Sequence, residues 1–355
     1  MKNLAISSAL LAASSLAVAQ SSVTLYGAID TNIQRGSGSV ADRTQVGSGG
    51  TGSSRLGFRG VEDLGGGLKA SFALEGGFLA DTGTGSTTNT NNQSTGNTGG
   101  GGFTFGRRST VSLSGGWGEL RLGRDYSAAY YNRFEFDPFG NSGVGASQAY
   151  VGALTGPIPT RVSNAIMYFT PQNLGGFYGL VQHYLGENPS NAGATKDDGT
   201  GSGLRFGHKA GPLNVAISAT HTNYATTATT GNITSANLGA SYDLGDFSLM
   251  GGYYREKVDT LAGLTGRGPQ IGGRYRVGNG EFKAQWSAYK TSGAGNPQTK
   301  KISLGYVHNL SKRTSLYGTF ARVNNSGGAT AALNGSSTAA NRSSSGFDLG
   351  VRHNF

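Results

Sequence analysis

Sixteen stretches of this sequence alternate apolar and polar residues with a period of two, and the connections between them run long, short, long, short to the end. A period of two places successive side chains on opposite faces of a strand, so each stretch has one greasy face and one polar face. Val23, Leu25, Gly27 and Ile29 alternate with Thr24, Tyr26, Ala28 and Asp30; Leu68, Ala70, Phe72 and Leu74 oppose Lys69, Ser71, Ala73 and Glu75. The runs fall at 22–34, 53–61, 67–80, 103–114, 118–126, 162–170, 176–187, 201–210, 212–222, 233–242, 247–258, 267–277, 280–291, 299–309, 314–324 and 344–355. Short connections such as Gly115-Gly116-Trp117, Gly211 and Gly278-Asn279 alternate with long ones near 35–52, 81–102, 127–161, 188–200, 223–232, 259–266, 292–298 and 325–343. Transmembrane β-barrels show this asymmetry, with an even strand number, short turns on one side and long loops on the other. A solenoid would show a fixed repeat, and none is present. The expectation is an all-β, 16-stranded antiparallel transmembrane β-barrel, wide enough to hold water rather than fill with side chains.

Composition agrees. Glycine is 62 of 355 residues and the hydrophobic fraction only 36%, low for a water-soluble core of this size, while 10% aromatic content argues against disorder. The start of the chain reads as a leader: Lys2, an apolar run from Leu4 to Leu16, then Ala17-Val18-Ala19 as an A-x-A cleavage signature. Residues 1–19 are expected to be removed and 20–355 to form the barrel. Beyond the leader no apolar run reaches 18 residues, so helical spans are not expected. There is no cysteine, which excludes a disulfide framework. The formal charge of +10, or +9 without Lys2, would suggest nucleic acid as a partner in a soluble protein, and export argues against it.

One segment escapes the alternation. From Tyr126 to Thr160 the chain is first aromatic (Tyr130, Tyr131, Phe134, Phe136, Phe139), acidic at Glu135 and Asp137, then rich in Gly and Ala. A connection this long without regular structure is usually functional, and the constriction loop is placed at about 127–161, inside the barrel. Asp81 to Gly102, nearly all Gly, Ser, Thr and Asn, reads as a flexible exposed loop, with reach toward a neighbouring subunit as the alternative. Aromatics near strand ends (Tyr26, Phe169, Tyr253, Tyr306, Phe355) read as girdles at the lipid interfaces.

Several segments carry a resemblance. Ser21-Ser22-Val23-Thr24-Leu25-Tyr26-Gly27, the stretch from Ser54 to Ala70, Arg107 to Gly115, Leu122-Gly123-Arg124, Gly305 to Thr314 and the final Gly350-Val351-Arg352-His353-Asn354-Phe355 are similar to the general porins of β-proteobacteria, the neisserial-like Gram-negative family. The resemblance implies an outer-membrane homotrimer whose third outer loop folds into each lumen as an eyelet. It also implies that Phe355 is read by the barrel-assembly machinery. An anion-favouring arginine cluster on the wall maps to Arg55, Arg107 and Arg161. Parity independently turns Arg55 and Arg161 inward, with Arg59, Arg121 and Lys69, but on the fourth run it favours Arg108 over Arg107 unless a bulge intervenes. Met167 stands where the family commonly has a basic lumen residue.

Rings of cations select anions in pores, and a narrow aqueous path with low-dielectric walls concentrates their field. The bland alternative for any one of these residues is a solvated lumen side chain. Glu135 and Asp137 could pass for a catalytic carboxylate pair, but no base, metal set or nucleophile accompanies them, so the chain is not read as an enzyme. They are expected to form the opposing wall of the eyelet or to bond to loop backbone. The five histidines show no metal-ligand spacing, and the glycine strings lack the Lys-Ser/Thr of a phosphate loop, so no metal or other cofactor is implied. The expected function is passive diffusion of small hydrophilic solutes and ions through an anion-leaning channel embedded in outer-membrane lipid. Two alternatives are a channel specific for sugars or small organic anions, with Tyr130, Tyr131, Phe134 and Phe136 as a stacking track, and a surface adhesin.

Overall fold

A computed structural model describes residues 22–94, 102–148, 154 and 160–355. The expected leader, the junction at Gln20 and parts of the 81–102 and 127–161 loops lie outside the described residues. The strands are β1 (Ser22–Ser37), β2 (Arg43–Ser48), β3 (Arg55–Gly65), β4 (Leu68–Gly77), β5 (Arg108–Gly115), β6 (Gly118–Tyr126), β7 (Arg161–Phe169), β8 (Phe177–Tyr184) and β9 (Gly201–Ala210). They continue as β10 (Leu213–Thr222), β11 (Ile233–Leu244), β12 (Phe247–Val258), β13 (Leu264–Val277), β14 (Gly280–Thr291), β15 (Gln298–Asn309), β16 (Thr314–Ser326) and β17 (Ser344–Asn354).

Apart from β2 and β3, which both pair with β1, consecutive strands pair antiparallel, and β1 pairs β17 from Ala28↔Asn354 to Ser37↔Ser345, which closes the sheet. The backbone of Phe355 exchanges two hydrogen bonds with Gly27, at 3.0 and 3.1 Å, completing that seam. Closure leaves no open edge, as a spanning sheet in lipid requires. The barrel is inside-out relative to a soluble protein. Val23, Leu25, Ile217, Leu304 and many like them are exposed outward, while Asp30, Asn32, Thr220 and Gln270 are buried on the inner side.

Seventeen segments make sixteen barrel positions, because β2 and β3 are one strand in two pieces. β1 pairs β2 through Thr31↔Ser48 and β3 through Ala28↔Arg55. The expected first loop at 35–52 is therefore corrected: the turn is short, and residues 49–54 bulge out of the ladder instead. The cause is Asp30. Its buried carboxylate accepts from the backbone N–H groups of Gly50 (3.2 Å), Thr51 (2.9 Å) and Gly52 (3.0 Å), from the Thr51 hydroxyl (2.8 Å) and from the Tyr317 hydroxyl. Only a chain leaving the ladder can turn three consecutive N–H groups onto one anion.

The 81–102 loop also departs from expectation. In its described part, Asn92 exchanges hydrogen bonds with the Ser163 backbone (2.7 and 3.1 Å), and the Tyr224 hydroxyl donates to the Asn92 carbonyl at 2.5 Å. Its polar side chains fold it over its own barrel mouth, so this part is neither free nor reaching outward.

Candidate pore constriction

The 127–160 connection enters the barrel, and it is not structureless at its start. Helix α1 (Ala128–Phe136) is capped by Ser127, whose hydroxyl accepts from the Tyr130 N–H at 3.2 Å. Its free N-terminal donors dock on the wall: Ala128 N–H to Gln182 on β8, and Ala129 N–H to Thr220 on β10, both 3.0 Å. Asn132 and Asn237 on β11 bond at 2.7 Å, and Gln270 on β13 donates to the Phe136 carbonyl at 2.8 Å. Phe136 is fully buried over Gly239, where even a Cβ would meet its ring at 2.0 Å. Further on, Arg274 donates to the Pro138 carbonyl at 2.8 Å, Asp348 accepts from the Val144 N–H at 2.9 Å, and Lys301 donates to the Ala146 carbonyl at 2.7 Å. Inward polar side chains on β8 to β17 thus hold the loop against one half of the inner wall.

Between that loop and the opposite wall lies a cavity of about 480 Å³. Arg55, Arg107, Arg108, Arg161, Arg274, Lys283 and Arg352 line it, with Glu75 and Asp125 as its only lining carboxylates among the described residues. Its loop side is Tyr126, Tyr130, Tyr131, Phe134, Phe139, Gly140, Asn141 and Ser142, which carry no charge. Glu75 is shared by Arg107 (2.6 Å) and Arg55 (3.4 Å), and Asp125 by Arg121 (2.6 Å) and Arg108 (3.3 Å). Arg161, Arg274 and Arg352 have no carboxylate within 4.0 Å among the described residues. Arg161 donates to the Arg107 carbonyl (2.9 Å) and the Tyr126 hydroxyl (3.2 Å) and lies over the Tyr126 ring at 4.6 Å; Arg352 donates to Asn354 at 3.2 Å. Burial raises the pKa of the Tyr131 hydroxyl.

The rivalry between Arg107 and Arg108 resolves in favour of both. Parity holds inside β5, where Thr110 and Ser112 are buried inward and Val111 and Leu113 exposed outward, so Arg108 points in. Arg107 sits on a bend just before the strand, outside the ladder, and reaches the same cavity. Arg59 does not belong to the constriction. It lies further from the loop end of β3 than Arg55, stacked on Tyr26 at 5.1 Å, and is absent from the cavity lining.

The acidic residues of the loop do not form the opposing wall. Glu135 turns to the barrel wall, accepting from Asn214 at 2.6 Å and pairing with Arg205. Asp137 is fully buried and accepts from the Phe139 and Ser147 N–H groups at 2.7 and 3.1 Å, so it fixes loop backbone. Phe136 leaves the proposed aromatic track for the same reason: it is packing. Arg121 is buried against Glu119, Asp125 and the Phe169 ring. Met167 is fully buried under α1 beside Ala128, Val162 and Tyr184, so the missing cation at that position takes nothing from the open lumen.

A closed antiparallel barrel with an apolar outer belt and a charged, loop-narrowed lumen is a transmembrane channel. Residues 6–328 match the Gram-negative porin family, and the chain belongs to it. It is 36% identical to outer membrane porin protein 32 of Delftia acidovorans, with all of both chains covered. It is 31% identical to an outer membrane porin protein of Bordetella pertussis, over 91% of this chain and 94% of that one. Among solved structures, the anion-selective porin from Comamonas acidovorans superposes with a TM-score of 0.83 at 34% identity, covering 95% of this chain and 100% of that one. The protein is an outer-membrane porin, a water-filled channel for small solutes and ions.

Proposed function

We propose that the channel prefers anions and that its selectivity is set at this constriction. The observation that carries the proposal is the imbalance around the cavity: seven cationic side chains against two carboxylates, with a loop wall that supplies no negative charge. Arg55, Arg107, Arg108 and Arg161 serve as the cationic wall, joined by Arg274, Lys283 and Arg352. A unit charge about 8 Å from a permeating ion is worth about 0.5–2 kcal/mol between effective dielectrics of 80 and 20, so several uncompensated cations decide the sign. The solved relative described as anion-selective supports the same reading. The test is the reversal potential of the reconstituted full chain in a potassium chloride gradient. A chloride-directed potential is expected, and a potassium-directed one overturns the proposal.

A second reading rests on Tyr126, whose ring packs 4.8 Å from Tyr130, 5.4 Å from Tyr131 and 6.2 Å from Phe134 while Arg161 lies on it. A π surface beside guanidinium groups without a carboxylate partner among the described residues suits a small organic anion better than a neutral sugar. Concentration-dependent block of single-channel current by a monocarboxylate, but not by a hexose, is the expected signature. The family resemblance further supports removal of residues 1–19 to leave 20–355 as the mature barrel, a homotrimeric assembly, and recognition of Phe355 by the barrel-assembly machinery. Deletion of Phe355 is expected to lower the yield of folded barrel in the outer membrane.

A further inference from the structure

The same sheet carries a second set of cations, on its lipid-facing side. On β12 to β14 the register places Arg255 opposite Arg267, and Arg267 opposite Lys290. All three are exposed and on the outward parity, and none makes an ion pair among the described residues. Like charges directly opposite across a ladder are destabilising, so three abreast with no internal counter-charge is a costly arrangement. Lys257, Lys300 and Arg322, exposed on β12, β15 and β16, extend the patch; of these only Lys257 is paired, with Asp259 at 2.7 Å. The outward positions of β7 to β11 carry no lysine or arginine, and Arg35 on β1 is neutralised by Asp42 at 3.0 Å.

The height of the patch is fixed by its place near the long-loop ends of these strands, hence the outer leaflet. Directly below it the outward face becomes apolar and hollow. A groove of about 920 Å³ has Gly273, Ala284 and Gly318 at positions where neighbours carry large side chains, with Phe247, Trp286 and Phe320 as walls. Cations at headgroup height above a groove at acyl height match one kind of occupant.

We propose that Arg255, Arg267 and Lys290 bind the phosphate groups of a phosphorylated glycolipid of the outer leaflet, with an acyl chain lying in the groove below. The lipid supplies the negative charge that the sheet itself omits, by charge-assisted hydrogen bonds. A second copy of this chain would not fit the row unless it brought an acidic patch of its own.

The test uses the refolded full chain in detergent micelles, with bisphosphorylated lipid A and its dephosphorylated form as probes and native mass spectrometry as the readout. The wild type is expected to bind the phosphorylated form about a hundredfold more tightly, at roughly fivefold per cation. The triple variant R255Q/R267Q/K290Q should lose that preference and keep the affinity for the dephosphorylated lipid. R267Q alone should lose about fivefold, which keeps the test open if the triple variant folds poorly. K312Q/R313Q, at a short turn on the opposite end, should bind as wild type. Equal binding of the two lipids by the wild type overturns the proposal, as does undiminished preference in R267Q. A variant that binds normally but falls apart as an oligomer overturns it too, assigning the row to contact between copies.

Discussion

The two walls of the constriction come from different kinds of chain and carry different charge. The strand wall presents its arginines from β3, β5 and β7 and from the bend before β5, where the backbone is fixed by pairing with neighbouring strands. The loop wall presents rings, glycine and amide, and it spends both of its acidic residues elsewhere. A porin eyelet with acid facing base would have a transverse field and weak net preference; this one has cations facing a neutral surface. The sign of the lumen charge is therefore not balanced across the gap.

The largest expected effect comes from reversing the strand wall. R161E/R352E converts two cavity-lining cations with no carboxylate within 4.0 Å among the described residues into anions, a change of four charge units at the cavity. At about 0.5–2 kcal/mol per unit charge, this is expected to reverse the sign of the salt-gradient potential. An unchanged sign would place the selecting charges somewhere other than this cavity. Next is acid added to the loop wall. S142E puts one carboxylate on the side that has none, and the anion-to-cation permeability ratio should fall about two- to thirtyfold. A smaller effect, of opposite direction, is expected from E75Q. It frees Arg55 and Arg107 from a shared partner, so anion preference should rise by no more than a few-fold, and both guanidinium groups should become more mobile.

These contrasts also show what could be read in the residues. Strand number, loop asymmetry and inward parity were legible because a period of two is a local property of the chain. Parity even marks Arg274, Lys283 and Arg352 as inward, since their neighbours Tyr275, Phe282 and Val351 face out. It does not say how high in the lumen a residue sits. Height depends on strand tilt and register around the whole ring, which is why Arg59 shared the inward face with Arg55 yet missed the constriction. Break points were hidden for a different reason. The inward bulge at 49–54 exists because Asp30, some twenty residues earlier and on another strand, needs donors. Within the loop, acidic residues were visible but their partners were not: Asn214 and Arg205 lie some 70 to 80 residues away in sequence. Met167 teaches the converse. Its inward parity is real, but α1 covers it. M167K is thus expected to destabilise the barrel, by several kcal/mol for an unpaired buried charge, rather than to strengthen anion preference; heat-modified gel mobility would register the loss.

The smallest expected effect on selectivity is from Glu135, and it separates this geometry most cleanly from an acid-against-base eyelet. If Glu135 faced the arginines across the gap, neutralising it would remove the loop wall's only counter-charge and raise anion preference sharply. Here its carboxylate is bonded to Asn214 and paired with Arg205 on β9, on the far side of α1 from the cavity. The residue is also only about a third exposed, so its field in the open lumen is already offset by its partner. E135Q should leave the reversal potential within experimental scatter of the wild type. Its cost should appear in the loop instead, because Arg205 loses the partner that helps hold α1 to the wall. Single-channel records are the place to look: excess open-channel noise with an unshifted reversal potential is expected, whereas a shift as large as that of E75Q would return Glu135 to the pore wall.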